Sequence, residues 1–371
     1  MTDFIKKTTM GIILFLSLGT IIPQVNASQL KFSVEPVIPE NQKNTSNSYF
    51  DLMMKPAEKQ TLVVHMRNDT ENEVTVLPTI HAATTNINGV VEYGESNTKL
   101  DKTSKYNIEE IVKPTVNEVK IPAKGATDLE LTVDMPEEGF DGILTGGLTL
   151  KEKEEKEKNN EKSQQGLAIE NKYAYVVAVV LQETDKKIDS ELKLGTVEPS
   201  QVNARNVINA KIKNVKAKYV NQLSVDTEIT KKGSHEVLYT SKKEEMQMAP
   251  NTSFAYPISL NGEELKAGDY SLKMIAKSMG ETWEFKKDFT IKSEIARALN
   301  DKDVTIKKDN TWLFVLIAVL LVLFTFVVIF LILRKKKKEE QQKREKLRRE
   351  KKKKALKKKK KALNNNKSYD K

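Results

Sequence analysis

Residues 312–333 are apolar except for Thr325, and the run ends directly on Arg334-Lys335-Lys336-Lys337-Lys338. As an α-helix rising about 1.5 Å per residue, this segment would be roughly 33 Å long, the thickness of a bilayer's hydrocarbon core. Lysine and arginine stay on the cytoplasmic side of such a span. The sequence therefore predicts a single-pass type I arrangement. A transmembrane helix covers 311–333, a basic cytoplasmic tail covers 334–371, and everything before Trp312 lies outside the cell.

The other terminus agrees. Lys6 and Lys7 precede a short apolar stretch, 10–22, and then Val25-Asn26-Ala27, the small and branched residues that a signal peptidase site needs. This pattern predicts a cleaved secretory signal over 1–27. The competing reading is an uncleaved anchor.

The net charge of +11 divides unevenly along the chain. The tail holds 21 Lys and Arg against five acids, so the segment between signal and tail is mildly acidic. A nucleic-acid binder places its basic patch on a folded domain. Here the basic residues sit against the membrane, where anionic lipid attracts them at about 1 kcal/mol each. The tail reads as a topology determinant and lipid tether, and no nucleic-acid partner is expected. With no cysteine, the exterior depends on core burial rather than disulfides.

That exterior reads as β-structure. Leu129, Leu131, Val133 and Met135 alternate with polar residues, as do Leu62, Val64 and Met66. Val74, Val76 and Ile80 form another strand, in which Pro78 signals an edge or bulge. Residues 143–150 form a glycine-containing strand. Residues 173–181 are apolar on both faces, as a central strand requires. Between these last two lies 151–165, almost wholly Lys, Glu, Asn, Gln and Ser, which cannot bury enough surface to order itself and reads as a solvated loop or hairpin tip, the alternative being a short charged helix held by i,i+4 pairs. Further strands are expected at 191–197, 202–213, 219–230, 235–246, 253–260, 269–278 and 282–292. Turns are expected at Asn261-Gly262 and Ala267-Gly268-Asp269. Short strands at this spacing predict an all-β exterior of two immunoglobulin-like β-sandwich domains, joined to one C-terminal transmembrane helix. Residues 293–302 are weakly helical and lead into a stalk. The polar connector 183–190 is a hinge by default.

No catalytic set is visible. His65, His81 and His235 are isolated, and there is no H-E-x-x-H, no G-x-S-x-G elbow and no P-loop. No cofactor, no metal ligands and no catalytic residues are assigned. A Leu-Pro-x-Thr-Gly sorting signal is also missing before the span, so the chain is expected to remain in the membrane. There is no Trp-x-Leu motif either: Trp283 is followed by Glu284-Phe285.

Several short motifs fall in a telling order. Phe32-Ser33-Val34-Glu35-Pro36-Val37 opens the exterior, followed by Tyr49-Phe50-Asp51-Leu52 and Ala83-Thr84-Thr85-Asn86. Then come Ile121-Pro122-Ala123-Lys124 and Phe140-Asp141-Gly142-Ile143-Leu144-Thr145-Gly146-Gly147. Tyr173-Ala174-Tyr175-Val176 and Met246-Gln247-Met248-Ala249-Pro250-Asn251 complete the set. In this order the chain resembles the WxL-interacting surface proteins of Gram-positive bacteria over about residues 30–335. The resemblance implies a peptidoglycan-binding first domain, a host-binding second domain, and partnership with secreted WxL proteins. It transfers no catalytic residue.

The resulting domain layout is a signal peptide at 1–27, a first sandwich at 30–152, a charged loop at 153–166 and a second sandwich at 167–297. A stalk at 298–310 precedes the span and tail, and strand 173–181 is a candidate to pack in the first sandwich instead. The expected function is a non-catalytic, membrane-anchored binding and adhesion scaffold. Its partners would be peptidoglycan, secreted WxL proteins, a host extracellular ligand and the membrane. The rivals are a transmembrane sensor and a wall-acting enzyme. Candidate binding residues are Tyr49 and Phe50, as a sugar-stacking platform or as core aromatics. Phe140, Gly142, Gly146 and Gly147 form a glycan or partner edge, or else a tight turn and bulge.

Overall fold

The structure, a computed structural model, describes residues 30–153, 173–306 and 311–366. The expected signal peptide and nearly all of the charged loop lie outside the described residues.

The first sandwich contains β1 (Phe32–Val37), β2 (Phe50–Met53), β3 (Lys59–Asn68), β4 (Val74–Ala82), β5 (Thr84–Thr85) and β6 (Val91–Glu92). A single turn of helix, α1 (Ile108–Ile111), leads into β7 (Val112–Pro114), β8 (Val119–Ile121), β9 (Ala126–Asp134), β10 (Leu144–Glu152) and β11 (Ala174–Gln182). One sheet has the order β1-β3-β9-β7 and the other β2-β11-β10-β4-β8. Period-two alternation puts Leu62, Val64 and Met66 of β3 and Leu129, Leu131 and Val133 of β9 on one inner face. They meet Leu148, Leu150, Val179 and Leu181 of the opposite sheet in one core. Strand β11 is interior, paired antiparallel to β10 and parallel to β2, so the doubly apolar segment 173–181 belongs to the first sandwich. Pro78 sits on β4 past the point where β8 stops pairing, at a locally open stretch of the strand.

The second sandwich contains β12 (Leu192–Val202), β13 (Arg205–Asn214), β14 (Val220–Lys231), β15 (Val237–Met248), β16 (Ser253–Ser259), β17 (Gly268–Ser278) and β18 (Glu281–Ile291). Sheets β12-β13-β16 and β15-β14-β17-β18 enclose a second core that includes Ile212, Val225, Tyr256, Leu272 and Met274.

The stalk expected at 298–310 is corrected over its first part. Helix α2 (Ser293–Asn300) and the turn after it pack on the second sandwich. Asn300 accepts from the Leu265 N–H and donates back to the Leu265 carbonyl, at 2.9 and 3.0 Å. Asp303, 5% exposed, accepts from the Asn206 N–H at 2.7 Å. An N–H left buried by a departing stalk would cost about 1–3 kcal/mol, which favours this docking.

Helix α3 (Thr311–Asn366) is described by itself. It is long and apolar enough to cross a membrane. The helix continues from the apolar segment into the basic tail, as far as Asn366. Residues 334–366 contain no Gly or Pro and are mostly good helix formers. Each of Glu339, Glu340, Glu345 and Glu350 has Lys or Arg four residues on, the favourable orientation for such pairs. The apolar segment supplies the nucleus that a lysine-rich helix could not make cheaply alone.

Candidate functional site

The two sandwiches meet through loops whose close approach is set by backbone rather than by side chains. At Gly142, with φ of +93°, a Cβ would lie 2.3 Å from the Ala217 carbonyl oxygen. The neighbouring Ile143 N–H donates to that same oxygen at 2.7 Å. On the other side of the junction the Gly89 carbonyl accepts from the Gln247 N–H at 2.7 Å, and a Cβ at Gly89 would strike the Met246 side chain. Thr85 Oγ1 lies 2.7 Å from Thr252 Oγ1 and accepts from the Ala249 N–H at 3.0 Å. Tyr219 donates its hydroxyl to Thr145 Oγ1 at 2.9 Å and lies 3.0 Å from the Tyr93 hydroxyl. Lys213 pairs with Asp101 at 3.0 Å, and the Asp101 side chain is only 8% exposed. The polar connector 183–190 is thus bypassed by a hydrogen-bonded interface, and the default hinge is replaced by a fastened junction.

A cleft of about 510 Å³ opens beside this junction. Tyr106 and Phe140 form its aromatic wall, with ring centroids 5.9 Å apart and planes at 59°. Tyr106 directly precedes Asn107, whose side chain caps α1, and its hydroxyl donates to the Glu138 carbonyl at 2.6 Å. Phe140 is held by its N–H, which donates to Glu183 Oε2 at 2.6 Å. Lys105 Nζ lies 5.2 Å from the centre of the Tyr106 ring and pairs with Glu138 at 2.6 Å. The Glu138 hydrogen bond raises the Lys105 pKa, and the Lys186 hydrogen bond lowers that of Asp141. Lys216 pairs with Glu191 at 3.1 Å. Lys187 also lines the cleft and has no partner among the described residues. An aromatic wall and an ammonium without a counter-charge suit a ligand with an apolar or sugar face and a carboxylate. No group of three or more His, Cys, Asp and Glu side chains placed to hold a metal occurs among the described residues.

Of the residues singled out from sequence, Phe140 alone has its side chain in this cleft. Phe50 is fully buried in the first core and cannot touch a ligand, which corrects its place among the binding residues. Tyr49 is half-buried against the same core, and burial followed by the charges of Asp51 and Tyr93 raises its pKa. Gly142 lies in the inter-sandwich contact. Gly146 and Gly147 are buried on opposite faces of β10, where a Cβ would meet the His81 carbonyl at 2.3 Å and the Tyr93 carbonyl at 2.4 Å. These glycines admit close backbone neighbours within the protein and are not presented to a ligand. Tyr106, Lys187 and Lys216 escaped sequence reasoning because each is an ordinary surface residue until folding brings it beside Phe140.

Two family models match the chain. Residues 32–152 match the peptidoglycan binding domain of the WxL Interacting Protein, and residues 164–301 match its host binding domain. The second match begins before β11, which the structure places in the first sandwich. A search of curated proteins finds no match. Among solved structures, a chaperone–tip adhesion subunit complex from Csu pili of Acinetobacter baumannii is 11% identical. The match covers 69% of this chain and 98% of that one, with a TM-score of 0.30. The Salmonella enterica SafA pilin–SafB chaperone complex is 12% identical over 71% of this chain and 99% of that one, at 0.27. The E. coli chaperone DraB is 16% identical over 70% and 98%, at 0.25. Likeness this low says nothing about partners.

Proposed function

Because the chain belongs to the WxL-interacting proteins, we propose that it is a non-catalytic scaffold that presents a wall-binding and a ligand-binding sandwich as one fastened body. A peptidoglycan-binding domain, a host-binding domain and a C-terminal apolar helix together make a cell-surface binding protein. After removal of a signal over 1–27, the chain is a type I membrane protein with residues 334–371 in the cytosol. The first sandwich contacts peptidoglycan, and the surface as a whole engages secreted WxL proteins and a host ligand.

The observation that carries this reading is the position of the cleft. Tyr106, Phe140 and Lys187 face it at the place where the two matched domains are hydrogen-bonded together. Peptidoglycan combines sugar rings with peptide carboxylates, the two chemistries this wall can receive. Anchoring raises the local concentration of both partners, so modest contacts suffice. The test is sedimentation of the full chain, in detergent, with purified insoluble peptidoglycan. The chain should pellet without releasing soluble fragments, and Phe140→Ala with Lys187→Glu should lower the pelleted fraction several-fold. Fragment release would make the protein an enzyme, and failure to pellet would remove the wall-binding reading.

A further inference from the structure

Most sheet edges in this molecule are blunted. β1 and β7 carry Pro36 and Pro114, and β2 and β8 are four and three residues long. In the second sandwich, β12 bulges between Leu194 and Val197, β16 carries Pro257, and the pairing of β15 to β14 slips at three places. Short strands, prolines and bulges of this kind prevent a sheet from recruiting further strands.

β18 has no shortening, proline or bulge, and its inward-facing Lys287 is drawn back to donate to the Gly195 carbonyl of β12. It runs 11 residues, Glu281–Ile291, without Pro or Gly, and pairs with β17 in unbroken register. A two-residue turn, Met279-Gly280, with positive φ at both residues, joins the two strands. Such a turn makes Ser278 and Glu281 a hydrogen-bonded pair, and hydrogen-bonded pairs then alternate along the ladder. Thr282, Glu284, Lys286, Asp288 and Thr290 consequently turn their backbone N–H and C=O groups outward. No described group bonds to that row. On the inner face of the same edge, Trp283 and Phe285 are only partly buried, beside a shallow cleft of about 440 Å³ against Leu194.

The charges along β18 select the occupant. We propose that a second copy of this chain pairs with β18 edge to edge, antiparallel, on a two-fold axis through Phe285. In that register Glu284 faces Lys286 of the second copy, and Lys286 faces its Glu284. Thr282 faces Asp288, Phe285 faces Phe285, and Trp283 lies along the Lys287 stem. The outward-facing residues fall on one another as hydrogen-bonded pairs, which an antiparallel ladder requires. Neighbouring centres fail. An axis through Lys286 sets lysine against lysine and Glu284 against Asp288. An axis through Glu284 or Lys287 opposes like charges at the centre, and like charges directly across strands are destabilising. The paired copies join two four-stranded sheets into one. Two chains held in one membrane meet at high effective concentration, so a single strand pair is enough to associate them.

The chain has no cysteine, so one introduced thiol reports alone. Across a non-hydrogen-bonded antiparallel pair the Cα atoms are about 4.5 Å apart, within disulfide reach. Full-length chain carrying Phe285→Cys, in liposomes under mild oxidation, should convert to a covalent dimer at least tenfold faster than chain carrying Asp288→Cys. In the proposed register the two Asp288 positions are six residues out of step, about 20 Å apart. In the Phe285→Cys background, Glu284→Lys or Lys286→Glu alone should abolish the crosslink, and the two together should restore it. These are exposed positions where folding is not at risk. Equal crosslinking at 285 and 288, or no recovery in the double charge swap, overturns the proposal. So does a monomeric chain whose β18 edge is taken by another protein.

Discussion

Replacing Gly142 with alanine should loosen the junction by an amount that can be worked out in advance. At φ of +93° a Cβ adds backbone strain of roughly 1–2 kcal/mol. The new methyl would also lie 2.3 Å from the Ala217 carbonyl oxygen, where ordinary contact begins near 3.4 Å. The obstacle is backbone and cannot rotate aside. A retreat large enough to relieve the clash stretches the 2.7 Å bond from the Ile143 N–H beyond hydrogen-bonding range. Leaving that donor unmatched adds about 1–3 kcal/mol. The sum, about 2–5 kcal/mol, corresponds to a fall in melting temperature of roughly 4–20 °C at 2–4 °C per kcal/mol. The control is Gly233→Ala, with φ of +80° and nothing within 4 Å, which suffers the strain without the collision. Far-UV circular dichroism melts of both full-length variants in detergent give the comparison. Limited proteolysis should cut the 183–190 connector faster in Gly142→Ala. If the two variants melt together and are cut at the same rate, the Gly142 contact does not hold the sandwiches.

The Asp101–Lys213 pair should make the junction sensitive to acid. Burial alone would raise the Asp101 pKa, but the hydrogen bonds from Lys213 and Thr103 outweigh it and hold the carboxyl below its ordinary 3.8. A depressed folded-state pKa stabilises fully above the unfolded value, and the contribution is lost as pH falls through the lowered one. The melting difference between the native chain and Asp101→Asn should therefore be widest above pH 3.8 and close below it; a gap that does not change with pH refutes this. Burial raises the Tyr219 pKa as well, so its hydroxyl stays neutral and able to donate. Tyr219→Phe should destabilise by about 1–3 kcal/mol in urea unfolding, because Thr145 and Tyr93 each lose a partner in a closed site.

Strand positions were legible wherever one face is buried, because the side-chain period of two then appears directly as alternation. β3, β9 and β17 are read from Leu62-Val63-Val64, Leu129-Glu130-Leu131 and Tyr270-Ser271-Leu272. β12 was read short, since its Gly195-Thr196 bulge breaks the alternation and Pro199 discourages a continuation that the edge position permits. The tail's helix formers and regular Glu-to-Lys spacing favour the helix that continues from the apolar segment. At the candidate site only Phe140 was found. The glycines around it were conspicuous for a different reason: they let the backbone of one element touch another inside the protein.

Sequence by itself determined the parts governed by neighbours along the chain. These are the apolar helix with its basic flank, the alternating strands, and the ordered motifs that place the chain in its family. Tertiary structure alone decided which sandwich β11 completes, how the sandwiches are fastened, and where a ligand could sit. Each of these joins distant residues, such as Thr85 with Thr252, Gly142 with Ala217, and Tyr106 with Phe140. Contacts at such separations leave no period in the sequence. They are set by which surfaces remain to be buried, and which N–H and C=O groups remain to be paired, once the strands have formed.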